Sequence, residues 1–169
     1  MPSAAVVYGA VLGTLYVLYG IIQVYNGVCS WWLGGGAKAQ LGMEVKGVVI
    51  PNAFPDPFSG FALITTGLLF LSALYYSARD GRGYKGYLLA GWMLAVVMMA
   101  LNVIEIASSM LTAYYPVLLG EEPETWSLAE DPWGVAPHMV LGLLALPLYV
   151  ELKGMLRELF PRRYMPRSP

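Results

Sequence analysis

The chain has 169 residues, of which 57% are hydrophobic and only 12% are charged, and its formal net charge is −1. A soluble domain carries about 25% charged residues, so this composition is typical of an integral membrane protein. The sequence has no basic, aromatic-rich module for nucleic acid, and its one cysteine, Cys29, excludes an intrachain disulfide and a thiolate zinc or iron–sulfur site.

Four stretches with almost no charge are long enough to cross a bilayer, since a span needs about 20 apolar residues. In chain order, the predicted helices lie near 5–27, 57–78, 85–113 and 133–156. We therefore predict a single all-α domain over residues 1–169, with four transmembrane helices in a left-handed bundle. Pro147 is expected to kink the fourth helix.

The charges of the loops predict the orientation. The turn 79–85 has three basic residues against one acidic residue, and the tail 157–169 is also basic. The segment 121–131 has five acidic residues and no basic one. The positive-inside rule then places the turn and both termini in the cytoplasm and the loops 28–56 and 114–132 outside. We expect a multi-pass protein of the plasma membrane.

The first outer loop has a mixed composition. Within residues 34–56, a glycine run precedes the segment 43–50, which is rich in valine and isoleucine, and a proline-rich segment follows. A short strand or hairpin and a loop lying along the membrane interface are both open, and we favour the loop.

Two predicted helices carry stripes of small residues at alternating intervals of four and three. On the first helix the stripe is Gly9, Gly13, Tyr16, Gly20, Gln23 and Gly27. On the third helix it is Gly91, Ala95, Met98, Asn102, Glu105, Ser109 and Thr112. This spacing is that of a coiled-coil seam, in which small residues let two backbones approach closely. We predict that both stripes face inward and that their glycines, with Ala95, are helix-packing residues.

Polar residues converge at the predicted outer ends of the four helices. A carboxylate in a membrane helix costs at least a few kcal/mol near the bilayer centre, so Glu105 is expected to face other helices or a water-filled cavity. Chain direction brings further polar residues to a similar depth. We predict one ligand-binding pocket in the outer leaflet, formed by Gln23, Asn26, Asp56, Ser59, Asn102, Glu105 and His138.

The chemistry of this cluster is open at the level of sequence. His138 is the only histidine, which excludes a bis-histidine haem and a histidine-rich copper or zinc site. We favour a hydrogen bond or ion pair between Glu105 and His138, because each would satisfy the other in apolar surroundings. Such a pair is either purely structural or part of a site for a small amphipathic ligand or for protons. A metal site that adds Asp56 is less favoured, and no metal or cofactor is expected.

The sequence resembles the DoxX-like four-helix membrane proteins. The segment from Leu12 to Gln23 reads LGTLYVLYGIIQ, with an aromatic residue between two glycines, and a proline-bearing loop follows it. The resemblance extends to the segments 61–71, 79–85 and 88–100. The chain lacks the basic residues of that family's first helix, and Leu63 and Ile64 stand where an acidic residue is expected. The resemblance implies association with membrane redox enzymes, including quinone-linked sulfur oxidation, and carries over no catalytic residue.

Two hypotheses of function follow. The first is a small non-catalytic accessory or assembly subunit of a larger, respiratory or quinone-linked membrane complex, whose partners are lipids, other membrane subunits or its own copies. It is favoured because no soluble-enzyme motif occurs and the seams are rich in small residues. The alternative is a binder, transporter or modifier of a quinone- or sterol-like lipid at the Glu105 and His138 pocket. A channel is disfavoured, because the inner half of the stripes is almost entirely apolar.

Overall fold

The computed structural model of the protein describes residues 2–34, 39, 43–45, 48–50, 53–79, 83–122, 125–128 and 134–159. Within these ranges, the α-helices are α1 (Ala4–Trp31), α2 (Pro57–Arg79), α3 (Tyr84–Tyr114), α4 (Pro137–Ala145) and α5 (Tyr149–Leu159). The strands are β1 (Met43–Val45) and β2 (Val48–Ile50), and the 3-10 helices are Tyr115–Leu119 and Leu146–Leu148. The described part of the chain is therefore helical apart from one small hairpin.

Among the described residues, three helical stretches are long and apolar enough to cross a membrane, namely Ala4–Trp31, Pro57–Arg79 and Tyr84–Leu119. Their outward faces expose large apolar side chains, including Leu18 at 52% and Leu68 at 53%. A soluble protein rarely exposes apolar surface continuously on this scale. These faces are suited to contact with lipid.

Helix α1 is longer than the apolar run that predicts it, which covers 5–27. It begins after Ser3, whose hydroxyl oxygen accepts a hydrogen bond from the Val6 backbone N–H at 3.4 Å, as an N-cap residue does. It ends at Trp31. Hydropathy marks the apolar part of the helix, whereas backbone hydrogen bonding continues through its interfacial end.

The fourth helical stretch is interrupted where the sequence predicts a kink. Pro147 lies in the 3-10 helix that separates α4 from α5. Proline has no backbone N–H and clashes with the carbonyl four residues earlier, which explains the tighter turn. The stretch begins at Pro137, in the first turn of α4, rather than at the predicted residue 133, which lies outside the described residues.

Glycines allow α1 and α2 to pack backbone against backbone. A Cβ atom added to Gly13 would lie 2.8 Å from the Gly67 carbonyl oxygen, and one added to Gly20 would lie 2.8 Å from the Gly60 carbonyl oxygen. At the next repeat, Gly27 packs directly against the ring of Pro57. The two helices are therefore antiparallel neighbours, with contacts that recur every seven residues along α1.

The other small residues of the two stripes also lie between helices of this chain. Gly91 packs against the Phe70 ring, and a Cβ atom added to Gly9 would lie 2.9 Å from Leu88 Cδ1. One added to Gly142 would lie 3.0 Å from the Ala95 carbonyl oxygen. Six small residues of the stripes are thus buried at internal contacts: Gly9, Gly13, Gly20, Gly27, Gly91 and Ala95.

The α3 stripe leaves the core after Asn102, contrary to the prediction that the whole stripe faces inward. Asn102 is buried, whereas Glu105 and Thr112 are exposed and Ser109 is half-buried. The reason is that α4 begins beside Asn102, so the last turns of α3 extend beyond the start of the fourth stretch.

The segment before α2 forms a hairpin instead of the loop that the sequence favours. Strands β1 and β2 pair antiparallel, with Met43 opposite Ile50 and Val45 opposite Val48. The β-branched residues of this segment suit a strand, and the prolines lie after the paired residues, where they do not interrupt the ladder.

Candidate ligand-binding site

A cavity of about 300 Å³ lies between α1, α2, α3 and α4. Six of the seven predicted site residues line this central cavity: Gln23, Asp56, Ser59, Asn102, Glu105 and His138. The rest of its wall is apolar and consists of Phe54, Phe58, Ala62, Met98, Leu101 and Ala136. The structure thus brings together polar residues that come from all four helical stretches.

Asn102 fixes the start of the fourth stretch against α3. Its side-chain oxygen accepts a hydrogen bond from the Ala136 backbone N–H at 3.3 Å, and its Nδ2 donates to the Gly134 carbonyl at 3.4 Å. The same Nδ2 donates to Glu105 Oε2 at 3.3 Å. Asn102 is 1% exposed, so these bonds satisfy an amide that would be costly to bury unpaired. It positions both α4 and the Glu105 carboxylate.

Asp56 caps the start of α2 while lining the central cavity. Its Oδ1 accepts a hydrogen bond from the Phe58 backbone N–H at 3.0 Å. This is an N-cap contact, and Pro57 at the first helical position suits such a start. A negative charge is also favourable near the positive end of the helix dipole. The capping contact holds a half-buried carboxylate beside the cavity.

Gln23 lies on the cavity wall, and the described residues satisfy only part of its amide. The side chain is 1% exposed, and its Oε1 has no hydrogen-bond partner among the described residues. Most buried polar groups in folded proteins are paired, so each exception calls for an explanation such as an internal water, an ion or a ligand. The described residues therefore leave the hydrogen bonding of the cavity's polar wall incomplete at Gln23.

Glu105 and His138 do not form the predicted pair. Both line the central cavity, yet within the described ranges no hydrogen bond or ion pair joins them. Instead, Glu105 accepts from Asn102, and the buried Nδ1 of His138 has no partner in the described part of the chain. Asn102 lies one helical turn before Glu105 on α3, so it can bind the carboxylate locally.

Asn26 serves the hairpin segment rather than the cavity. It is fully buried and does not line the cavity. Its Nδ2 donates to the carbonyls of Ala39 at 2.8 Å and Ala53 at 3.4 Å, and its Oδ1 accepts from the Ala39 N–H at 3.0 Å. Depth along α1 predicted a shared pocket, but Asn26 lies three residues from Gln23 and uses its amide to hold the chain on either side of the hairpin.

A second, more open space of about 570 Å³ lies along the exposed end of α3. We call it the lateral cavity; it is lined by Ile104, Glu105, Ser108, Ser109, Thr112, Ala113, Thr125 and Trp126. Trp126 Nε1 donates a hydrogen bond to Ser109 Oγ at 3.3 Å, which holds part of the acidic loop against α3. The last residues of the α3 stripe, Ser109 and Thr112, line this cavity. Glu105 borders both cavities.

The metal interpretation gains no support from the described residues. Among them, no group of three His, Cys, Asp or Glu side chains is placed to hold a metal ion. The polar atoms of the central cavity are instead suited to hydrogen bonds and to charge interactions with an organic ligand.

Comparison with known proteins gives one match, to a family model. No curated protein and no solved structure matches the chain. The matched family is a membrane-protein family, as the sequence predicts, but it does not support the DoxX-like resemblance specifically. The match and the three apolar helices confirm a multi-pass integral membrane protein. The model described as "MJ0565 integral membrane domain" covers residues 1–154, and the chain belongs to this family.

Proposed function

We propose that the protein binds a small amphipathic molecule of the membrane in the central cavity. The observation that carries this proposal is the two-sided wall of the cavity, in which polar side chains from four helical stretches face an apolar surface. A ligand site is commonly a concave apolar pocket with a few converging polar groups. The Gln23 side-chain oxygen, which has no partner among the described residues, adds a further acceptor to this wall.

The dimensions of the cavity favour a small ligand or the head of a larger one. Its volume of about 300 Å³ is at the lower end of the range for small-molecule pockets, about 300–1,000 Å³. A polar head would contact Gln23, Glu105 and His138, and an apolar chain would pass along Ala62 and Leu101. Leu101 is 54% exposed, so the apolar wall continues to the outer surface of the bundle.

The proposal includes four membrane spans and cytoplasmic termini. The fourth stretch, residues 137–159, would be about 34 Å long at 1.5 Å per residue. Its apolar part would cross most of a hydrocarbon core of about 30 Å, and its charged end, from Glu151, would lie at the cytoplasmic interface. Arg79 then lies on the cytoplasmic side by the positive-inside rule, and the central cavity lies in the outer leaflet of the plasma membrane. The seven-residue recurrence of the α1–α2 contacts favours a left-handed bundle.

One of the two arguments for the accessory-subunit hypothesis no longer supports it. The small-residue seams that suggested partner subunits are occupied by helices of the same chain, as at Gly13 with Gly67 and Gly20 with Gly60. Association with redox enzymes rests on the DoxX-like resemblance alone. We therefore place ligand binding first, with no catalytic step.

The proposal is tested by the molecules that the protein retains on purification. Wild-type protein, extracted from its native membrane in a mild uncharged detergent, is compared by native mass spectrometry with Ser59→Phe. Ser59 is half-buried on the cavity wall, so a phenylalanine ring there would fill the space. The matched control is Thr65→Phe, which adds the same ring on the exposed face of α2.

We expect wild type and Thr65→Phe to retain an amphipathic molecule that Ser59→Phe lacks. If Ser59→Phe does not fold, Ala62→Leu makes a smaller intrusion into the same wall. The proposal is wrong if a folded cavity-filling variant retains the same molecules as wild type, or if wild type retains none.

A further inference from the structure

We propose that the ligand's head group is cationic, an ammonium group carried on an apolar chain and held between Asp56, Glu105 and Gln23. This inference rests on the proposed function, because it names the ligand class of the same central cavity.

The charge of the cavity wall is the first argument. Two carboxylates line it, those of Asp56 and Glu105, and none of its described lining residues is a lysine or arginine. Asp56 accepts from a neutral backbone N–H and Glu105 from the neutral amide of Asn102. These hydrogen bonds stabilise the carboxylates but do not offset their charge. At the membrane depth that the proposed topology gives this cavity, a counter-charge would stabilise an ionised group, and a cationic ligand would supply it.

Unpaired acceptors give an independent second argument. The Gln23 side chain is 1% exposed and lines the cavity, and its Oε1 has no donor among the described residues. His138 is 8% exposed, and its Nδ1 is also without a partner in that part of the chain. An amide oxygen accepts up to two hydrogen bonds, and the Nδ1 of a neutral imidazole accepts one in the tautomer whose proton is on Nε2. An ammonium head carries several N–H donors at one point, which matches this surplus of acceptors.

Aromatic residues complete the match. Phe54 and Phe58 both line the cavity, and Phe58 packs with Trp31 at a ring separation of 5.9 Å. The face of an aromatic ring attracts a cation that lies within about 6 Å of its centroid. An anionic head group would instead meet two carboxylates, and an uncharged one would leave their charge uncompensated.

The test compares three probes with the same alkyl chain: dodecylamine, dodecanol and dodecanoate. The protein is placed in nanodiscs of an uncharged galactolipid, which contains no ammonium head group, and binding is measured by calorimetry at neutral pH. We expect dodecylamine to bind about tenfold more tightly than either other probe, which corresponds to a difference of about 1.4 kcal/mol in binding free energy. Glu105→Gln and Asp56→Asn should each weaken dodecylamine binding more than dodecanol binding and so remove most of that preference.

The matched control is Glu121→Gln, which neutralises an exposed carboxylate outside both cavities. It should keep the preference for the amine. The contrary result is that dodecanol or dodecanoate binds as tightly as dodecylamine or more tightly, in a manner that Ser59→Phe abolishes. That result would refute the proposal of a cationic head group and leave the proposed function standing. If no probe binds in a manner that Ser59→Phe abolishes, both proposals fail. Thermal unfolding of each variant identifies one that does not fold, and the other carboxylate variant then decides.

Discussion

The contact between α1 and α2 leaves no room for a side chain at Gly67, and this gives a quantitative prediction for Gly67→Ala. The added Cβ atom would lie 2.5 Å from the Gly13 carbonyl oxygen and 2.6 Å from Val17 Cγ2. Ordinary contacts of a Cβ atom lie at 3.4–4 Å. The obstacle includes backbone, which cannot rotate away as a flexible side chain would. The two helices would have to separate locally by close to an ångström.

The magnitude follows from two opposed effects. Overpacking of this kind destabilises a protein by about 1–3 kcal/mol. Replacing a mid-helix glycine by alanine favours the helix by about 0.5–1 kcal/mol. We therefore expect a net loss of about 1 kcal/mol for Gly67→Ala, the difference between the midpoints of these two ranges. Gly86→Ala is the matched control, because a Cβ atom there would have no heavy atom within 4 Å, and only the helical gain should appear.

The assay is reversible unfolding in mixed micelles of an uncharged and a denaturing detergent, followed by circular dichroism. The free energy of unfolding should fall for Gly67→Ala and stay level or rise for Gly86→Ala. Equal stabilities, or a more stable Gly67→Ala, would refute the close backbone packing of α1 on α2.

Three further predictions concern side chains that hold separate segments of the chain together. Asn102→Leu removes the hydrogen bonds to the start of α4, so the free energy of unfolding should fall by about 1–2 kcal/mol in the same detergent assay. An unchanged free energy of unfolding would contradict the role of Asn102 in fixing α4 against α3. Asn26→Ala removes both hydrogen bonds to Ala39, so hydrogen exchange of that amide should accelerate while exchange within α3 stays the same. Tyr8→Phe removes the hydroxyl that donates to the Leu144 carbonyl at 2.6 Å. It should destabilise the protein by about 0.5–1.5 kcal/mol, measured by the same unfolding assay, and full stability would argue against this contact.

Most of the bundle could be predicted from residue patterns, because a lipid-exposed helix shows its boundaries in hydropathy and its packing face in small residues. The α1 stripe is buried along its whole length, from Gly9 to Gly27. The α3 stripe obeys the same spacing but leaves the core after Asn102, since spacing along one helix contains no information on where a neighbouring helix begins. The number of spans and their orientation remain predictions, which form part of the proposed topology.

The candidate site, too, could be predicted only in part from the sequence. Depth alone placed six polar residues around one cavity, but depth does not determine side-chain direction or partner choice. Asn26 uses its amide on the chain around the hairpin, and Glu105 uses Asn102 instead of His138. Asn102 can bind the Glu105 carboxylate locally, because it lies one turn away on the same helix. The lateral cavity required knowledge that Trp126 folds back onto α3, which no local pattern contains.

The most direct test of ligand binding in the central cavity is photo-cross-linking in nanodiscs of uncharged lipid. A dodecylamine and a dodecanol, each bearing a diazirine on its chain, are irradiated with the protein, and the labelled residues are mapped by mass spectrometry. We predict that at least one probe labels Ser59 and Ala62 in preference to Leu68, which lies on the exposed face of the same helix, and that Ser59→Phe abolishes this preference. Labelling of Leu68 as strong as that of Ser59 and Ala62, with both probes, would contradict a ligand site in this cavity.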